Sequence, residues 1–216
     1  MTDISENLKN LRSEYKLNKL SEETVNPNPF SQFKLWFDEV ITNNLPEANS
    51  MVLSTVDTIG KPSARIVLLK SFDESGLVFC TNYNSKKGRD LEMNSNCSLL
   101  FYWPTLERQI RIEGTATKIS EKESKEYFYS RPKESQIAAL ISNQSIEIEN
   151  RNVLEVEFKK LSEKYGNAQI PKPEHWGGYK VIPGYFEFWQ GREFRLHDRI
   201  AFKLEGKDWK IFRLSP

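Results

Sequence analysis

The chain has 216 residues, 38% of them hydrophobic and 28% charged, which suits a globular protein with a sizeable core and excludes a disordered one. Thirty-one basic and thirty acidic residues leave a formal net charge of +1, which argues against nucleic acid or an anionic membrane as a partner. The N-terminus has no export signal and no apolar run approaches about eighteen residues, so we expect a cytoplasmic protein.

The N-terminal segment, residues 1–26, carries weak helical periodicity among many charges and is predicted to be a mobile arm. A domain is predicted over residues 27–216. Its first helix begins at Asn28, because asparagine suits the N-cap and Pro29 the first helical position. The apolar face of this helix is predicted to comprise Phe30, Phe33, Phe37, Val40 and Ile41.

The middle of the chain is predicted to form short, consecutive strands, at residues 51–56, 63–70, 77–81, 97–103 and 108–119. The last of these has the alternation of a half-buried strand, since Arg108, Ile110 and Ile112 alternate with Gln109, Arg111 and Glu113.

A block of helices follows, with four strands after it. Helices are predicted at residues 121–129, 132–141 and 150–165, the last ending at Gly166. Strands are predicted at residues 179–182, 185–190, 200–204 and 209–214. Consecutive strands with the helices grouped together favour a mainly β fold, an antiparallel barrel with peripheral helices, over an alternating βαβ sheet.

Few residues suggest metal or thiol chemistry. Cys80 and Cys97 lie in separate apolar runs, which favours two buried free thiols over a disulfide. His175 and His197 are the two histidines of the chain and have no acidic partner at ligand spacing, so no zinc site is expected.

Two basic clusters suggest anion binding. Arg65 lies in an apolar strand and therefore requires an anionic partner. Lys86 and Lys87 lie in a predicted turn with small residues, where lysines and backbone N–H groups suit a phosphate. For the lysine pair alone, a solvated loop remains the alternative.

A third cluster comprises Tyr127, Arg131 and Ser135. The first two are four residues apart at the end of one helix and therefore face the same way. Ser135 lies in the first turn of the next helix, where backbone N–H groups favour an anion. The alternative is ordinary capping and surface pairing.

The segment 187–199 (EFWQGREFRLHDR) places three arginines and a histidine around an aromatic residue. If the segment is an extended strand, Arg195, His197 and Arg199 point to one face. Asp198 could bind some of these cations in a structural network, but three basic side chains on one face favour a site.

The sequence resembles the pyridoxamine 5'-phosphate oxidase family over most of its length, from about Asn28 onward. The resemblance is carried by residues 65–70 (RIVLLK), 106–114 (LERQIRIEG), 127–139 (YFYSRPKESQIAA), 142–145 (SNQS), 176–183 (WGGYKVIP), 187–199 and the closing RLSP. It implies an FMN-binding split β-barrel that forms a homodimer with FMN at the subunit interface. The residues it implies for FMN binding are Arg65, Ile66, Val67, Leu68, Leu69, Lys70, Cys80, Thr81, Lys86, Lys87, Gln109, Gln144, Ser145, Trp189 and Arg199.

The resemblance also implies the reaction. Pyridoxamine 5'-phosphate and pyridoxine 5'-phosphate would be oxidised to pyridoxal 5'-phosphate by hydride transfer from C4' to FMN, and O2 would reoxidise the flavin to give H2O2. The residues implied for substrate binding are Lys70, Tyr127, Arg131, Ser135, Arg195, His197, Arg12 and Tyr15. Arg195 and His197 are the implied catalytic pair, while Arg12 and Tyr15 resemble an element that closes over the site.

Four positions depart from the family pattern. Cys80 and Lys86 stand where tyrosine and arginine are usual, and Ala138 and Leu140 where glycine and tryptophan are typical. Lys86 keeps the charge but lacks the bidentate fork of arginine, so weaker FMN binding is expected. Two other functions are weighed against the oxidase: a different FMN oxidoreductase on the same barrel, and a non-catalytic module that binds FMN or pyridoxal phosphate.

Overall fold

Eight strands form one sheet in the computed structural model, which describes residues 14–216. They are β1 Ser50–Val56, β2 Pro62–Asp73, β3 Gly76–Asn82, β4 Asn96–Trp103, β5 Arg108–Lys118, β6 Trp176–Gln190, β7 Asp198–Glu205 and β8 Asp208–Arg213. The helices within the same residues are α1 Pro29–Thr42, α2 Lys86–Met93, α3 Glu121–Ser130, α4 Lys133–Ile141 and α5 Arg151–Tyr165.

The strands form an antiparallel barrel with an extension. Neighbouring strands follow the order β3-β2-β1-β4-β5-β6-β7-β8, and β3 also pairs with β6. That extra pairing closes the first six strands of this order into a barrel, and β7 and β8 continue the sheet from β6. The predicted split barrel with peripheral helices is therefore confirmed.

The chain divides into two compact units. The C-terminal unit comprises the described part of Met1–Ala48 together with Leu100–Ile112 and Tyr185–Pro216. The central unit comprises Asn49–Leu99 and Glu113–Gly184. Strands β4, β5 and β6 each contribute residues to both units.

The core of the C-terminal unit is largely aromatic. Phe33 packs edge-on against Phe101 at a ring distance of 5.2 Å, and Trp36 packs on Phe188 at 5.3 Å. Helix α1 presents these rings because its N-terminus is fixed as predicted: the amides of Phe30 and Ser31 donate to the side chain of Asn28. Ile41, assigned to the apolar face, is instead exposed.

The central unit has a second aromatic cluster under its helices. Phe128, Ile137 and Trp176 are buried there, and Phe158 of α5 packs against them. Helix α5 itself has no fully buried residue, so its apolar stripe covers this cluster only in part. The predicted end of α5 at Gly166 is confirmed.

Two elements differ from the predictions. The strands expected at residues 179–182 and 185–190 form one strand, β6, that continues through Pro183 and Gly184. The predicted turn around Lys86 and Lys87 continues as helix α2, because Ser85 caps it: the amide of Gly88 donates to the Ser85 hydroxyl at 3.3 Å.

Both cysteines are free thiols, as predicted, although Cys80 is only half-buried. Residues 14–216 contain no group of histidine, cysteine and carboxylate side chains that could hold a metal ion. Nor does any helix among them have the length and apolar character needed to cross a membrane.

Candidate active site

The N-terminus of α2 forms a cradle of donors in the central unit. The Lys87 ammonium donates to Thr81 Oγ1 at 3.0 Å, Ser85 Oγ at 3.2 Å and Gln144 Oε1 at 3.1 Å. The backbone amide of Lys86 donates to Ser145 Oγ at 3.1 Å. Five residues implied for FMN binding therefore come together here: Thr81, Lys86, Lys87, Gln144 and Ser145.

Asn82 joins the two loops of this cradle. Its side-chain amide donates to the Ser142 carbonyl at 2.8 Å, and its side-chain oxygen accepts from the amide of Asn84 at 2.7 Å. Ser145 has a φ of 66°, an unusual conformation for a residue with a side chain. The buried side-chain amide of Asn82 therefore fixes the loop before α2 against the loop after α4.

Arg65 lies beside the cradle. It has the anionic partner that was predicted from its position in an apolar strand. Its guanidinium is 3.9 Å from the carboxylate of Asp90 and donates to Thr55 Oγ1 at 2.8 Å. Burial lowers the pKa of Arg65, and the charge of Asp90 opposes that effect. Burial also lowers the pKa of the Lys87 ammonium, and the charge of Arg65 lowers it further.

Gly88 allows α2 to start close to the preceding turn. A Cβ at this position would lie 1.9 Å from the backbone oxygen of Tyr83. We expect Gly88→Ala to destabilise the protein by about 1–3 kcal/mol, because backbone atoms must move apart. Thermal unfolding should show a loss of roughly 2–4 °C per kcal/mol. Gly184→Ala is the matched control, since nothing lies within 4 Å of its Cβ. Equal melting temperatures for the two variants would contradict the prediction.

The predicted substrate-phosphate residues cluster around Trp176, also in the central unit. The Tyr127 ring stacks on Trp176 at a centroid distance of 6.1 Å, and the Arg131 guanidinium lies 4.7 Å from the same ring. The Lys70 ammonium lies 5.7 Å from the Tyr127 ring. Ser135 lies in the first turn of α4, as predicted.

Arg131 is the cation of this cluster that has a buried donor atom. Its Nη1 atom is buried and has no hydrogen-bond partner in the described part of the chain. It lines a cavity of about 290 Å³ together with Asn82, Gln144 and Trp176. Burial lowers the pKa of Arg131 and raises that of the neighbouring Cys80 thiol to about 11. A buried guanidinium group with a free donor is suited to an anionic ligand.

The C-terminal unit holds the other predicted site residues. The ring centroids of Trp189 and His197 are 4.7 Å apart, and the Tyr15 ring packs edge-on against both, at 5.7 and 5.6 Å. Gly191 leaves the space that Tyr15 needs, because a Cβ there would lie 2.7 Å from the tyrosine ring. Arg12 lies outside the described residues.

Arg195 and His197 do not lie in an extended strand, so the condition under which they and Arg199 would point to one face is not met. Strand β6 ends at Gln190, which pairs with Asp198 of β7, so residues 191–197 are the connection between two antiparallel strands. Phe194 and Arg195 have φ angles of 57° and 61°, which turn the chain and expose the Arg195 side chain. Arg199 instead lies in β7, opposite Trp189.

A backbone hydrogen bond favours the neutral form of the His197 imidazole. The amide of Arg192 donates to His197 Nδ1 at 3.1 Å, so that nitrogen accepts and the proton of the neutral ring lies on Nε2. Burial and then the charge of Arg195 lower the pKa of His197, whereas Asp198 raises it.

Glu187 anchors Arg199 within the C-terminal unit. Its carboxylate, 2% exposed, accepts from Arg199 Nε at 2.8 Å and pairs with Arg111 Nη2 at 3.1 Å. Glu187 was not identified from the sequence, because the arginine partners of a carboxylate within a strand are known only after β5, β6 and β7 are paired. Asp90 was not identified from the sequence either, although four residues from Lys86 is the spacing of an ion pair on a helix.

The remaining predicted cofactor residues are on β2 and β5. The side chains of Ile66 and Leu68 are exposed, whereas those of Val67 and Leu69 are buried. Val67 and Leu69 therefore have only backbone groups to offer a ligand. Gln109 is half-buried in the C-terminal unit.

Two family models match the chain. The model described as pyridoxamine 5'-phosphate oxidase matches residues 37–165. The model of the pyridoxine 5'-phosphate oxidase C-terminal dimerisation region matches residues 176–216.

Relatives and solved structures agree with these matches. A pyridoxine/pyridoxamine 5'-phosphate oxidase of Trichormus variabilis is 53% identical over 207 residues, 95% of this chain and 97% of the relative. One from Cupriavidus necator is 54% identical over 210 residues, 97% of this chain and 99% of the relative. The structure of PhzG from Burkholderia lata, in complex with tetrahydrophenazine-1-carboxylic acid, aligns with a TM-score of 0.88 at 28% identity, over 94% of this chain and all of PhzG.

Proposed function

Since the chain belongs to the pyridoxamine 5'-phosphate oxidase family, we propose that it oxidises pyridoxamine 5'-phosphate and pyridoxine 5'-phosphate to pyridoxal 5'-phosphate. The observation that carries the proposal is the buried, unpartnered donor of Arg131 beside Lys70 and Tyr127. Phosphate is the group shared by both proposed substrates, and a buried guanidinium binds it in a directed way.

The cofactor proposed is FMN, and the cradle of α2 fits its phosphate. Arg65, Lys86 and Lys87 carry three positive charges against the single carboxylate of Asp90. The two charges in excess match a phosphomonoester, which carries about −1.5 to −2 at neutral pH. The Ser145 hydroxyl, which accepts from the Lys86 amide, can supply a further donor.

The proposed roles of the two clusters follow from their chemistry. When bound, FMN would accept a hydride from C4' of the substrate and pass the electrons to O2. Lys70, Tyr127, Arg131 and Ser135 would fix the substrate phosphate and so orient C4'. His197, neutral and with Nε2–H free to donate, would orient a polar group of the substrate, while Arg195 would lie against its ring. Trp189 and Arg199 would contact the flavin.

We also propose a homodimer, which the match of residues 176–216 to a dimerisation region supports. The exposed apolar side chains of Ile66 and Leu68 on β2 are consistent with a protein surface that a second copy covers.

The test of the function is turnover. The purified chain is incubated with FMN in air, pyridoxamine 5'-phosphate is added, and pyridoxal 5'-phosphate and H2O2 are followed together. Stoichiometric appearance of both products is expected. Flavin binding without turnover of either phosphorylated substrate would overturn the oxidase in favour of a carrier or of another flavin enzyme. The compound bound to PhzG, tetrahydrophenazine-1-carboxylic acid, contains no phosphate.

A prediction about Lys87 tests the cofactor site separately. We expect Lys87→Met to weaken FMN binding by about 100-fold, the loss of a charge-assisted contact of roughly 2.7 kcal/mol, and to leave riboflavin binding unchanged. Because the pKa of Lys87 is lowered, the phosphate contribution should also decline with rising pH earlier than for an ordinary lysine. Flavin fluorescence titration measures both effects. Equal losses for FMN and riboflavin would contradict a phosphate role.

A further inference from the structure

Asp90 is a buried carboxylate on α2 with three polar neighbours. It is 5% exposed, and its Oδ2 accepts from the hydroxyl of Thr55 at 2.7 Å. The Lys86 ammonium donates to both of its oxygens, at 3.1 and 3.2 Å. The Arg65 guanidinium lies 3.9 Å away. Burial alone would raise the pKa of Asp90, but these hydrogen bonds and charges hold it below its ordinary value.

The neighbours of Asp90 come from three different elements. Thr55 lies in β1, Arg65 in β2 and Lys86 in α2, so the carboxylate ties the helix to two barrel strands. Two cations brought this close repel each other unless a counter-ion lies between them. Asp90 supplies that counter-ion inside the fold, before any ligand arrives.

Lys86 depends on such a partner more than an arginine would. A lysine has a flexible stem and a point charge, whereas an arginine carries a rigid planar fork. Hydrogen bonds to both carboxylate oxygens restrict the positions that the Lys86 ammonium can take. Donors that are already ordered lose less conformational entropy when a ligand binds.

The pair is not an ordinary helix surface pair. Lys34 and Asp38 on α1 have the same spacing, but both side chains are mostly exposed, at 62% and 58%. In the pair of Lys86 and Asp90 the lysine side chain is 40% exposed, but the aspartate side chain is only 6% exposed and has a hydroxyl and a second cation beside it. A pair of the exposed kind contributes little, whereas a buried carboxylate fixes the groups that bind it.

We propose that Asp90 is a positioning residue of the cofactor site, which holds Lys86 and Arg65 in place for the phosphate of FMN. The proposal rests on the proposed function, because it assumes that the α2 cradle binds a flavin phosphate. Asp90 touches neither substrate nor reacting atoms in this proposal and acts through the two cations.

The experiment compares FMN with riboflavin, which lacks only the phosphate. Each is titrated into the flavin-free full-length chain at physiological salt, where long-range charge effects are screened. Asp90→Asn is expected to lower the preference for FMN over riboflavin by about 10-fold, equivalent to roughly 1.4 kcal/mol. Asp90→Glu should restore part of it. In a Lys86→Arg background the loss should be smaller, because the arginine fork carries its own geometry.

Asp38→Asn is the matched control, since it removes the same charge from a pair of the same spacing. It should leave the preference unchanged. Should Asp90→Asn fail to fold, Thr55→Val removes the hydrogen bonds of Thr55 to Asp90 and to Arg65, and it should lower the preference in the same direction.

The outcomes separate the two proposals. A normal or stronger preference for FMN in Asp90→Asn would overturn the positioning role and leave the proposed function intact. The absence of any preference for FMN in the unaltered chain would instead overturn the cofactor site itself, and the role of Asp90 with it. An equal loss in the Lys86→Arg background would show a structural effect and contradict positioning.

Discussion

Replacing Arg131 with methionine is expected to raise KM for pyridoxamine 5'-phosphate by about 100-fold and to change kcat much less. Each factor of ten in KM corresponds to about 1.4 kcal/mol of binding free energy. The reason is the buried Nη1 donor, which has no partner among the described residues and is free for the substrate phosphate. Methionine keeps an unbranched, apolar side chain against Trp176, which the guanidinium covers at 4.7 Å. Steady-state kinetics over a wide substrate range measures both constants.

Two controls separate phosphate binding from damage to the fold. Arg151→Met makes the same substitution at an exposed arginine of α5 and should leave KM unchanged. Unphosphorylated pyridoxamine, a poor substrate by the proposal, should be turned over at the same low rate by Arg131→Met as by the unaltered chain. If KM for the phosphorylated substrate stays within twofold or so of the original, Arg131 does not bind phosphate.

The sequence predicts best where local chemistry alone determines the backbone. Asn28 and Pro29 define the start of α1, and Gly166 the end of α5, because caps act within a few residues. Most strands follow from the period of two, as in β5, where Arg108, Ile110 and Ile112 are buried. These signals are sufficient for an antiparallel barrel.

Helix α2 shows where local signals fail. Its sequence, KKGRDLEM, has almost no apolar face, and Leu91 is its one fully buried large apolar residue. The helix exists because Ser85 caps it and Gly88 lets it pack against the Tyr83 backbone. The second condition is a close approach between main-chain atoms, which no periodicity can reveal.

Local sequence signals fail to predict the connection from β6 to β7 for a different reason. Arg195 and His197 would share a face only in an extended backbone, and the pairing of Gln190 with Asp198 excludes that backbone. Two consecutive residues with positive φ, Phe194 and Arg195, are uncommon without glycine, so neither residue type indicated the turn. Such strained positions are frequent at functional sites, and this one carries the predicted catalytic arginine.

The exposed Arg195 and the neutral His197 lead to the last prediction. Arg195→Met is expected to lower kcat by about 100-fold, because orientation of the substrate ring depends on that side chain in the proposal. It should also raise the pKa of His197, since removing a nearby positive charge favours the protonated imidazole. The first effect is measured at saturating substrate, and unchanged turnover would contradict the role of Arg195.

The second effect can be measured without turnover, because the chain has two histidines. In a His175→Gln background, NMR follows the His197 imidazole alone as pH changes. Its pKa should lie below 6.5 in the unaltered chain, rise in Arg195→Met, and stay constant in Lys203→Met, which removes a cation elsewhere in the same unit. The lowered pKa means that the unfolded chain binds this proton more tightly than the folded one, so stability falls as pH drops through that range. An imidazole pKa that does not move in Arg195→Met would show that the two side chains do not interact, and the proposed catalytic pair would have to be abandoned.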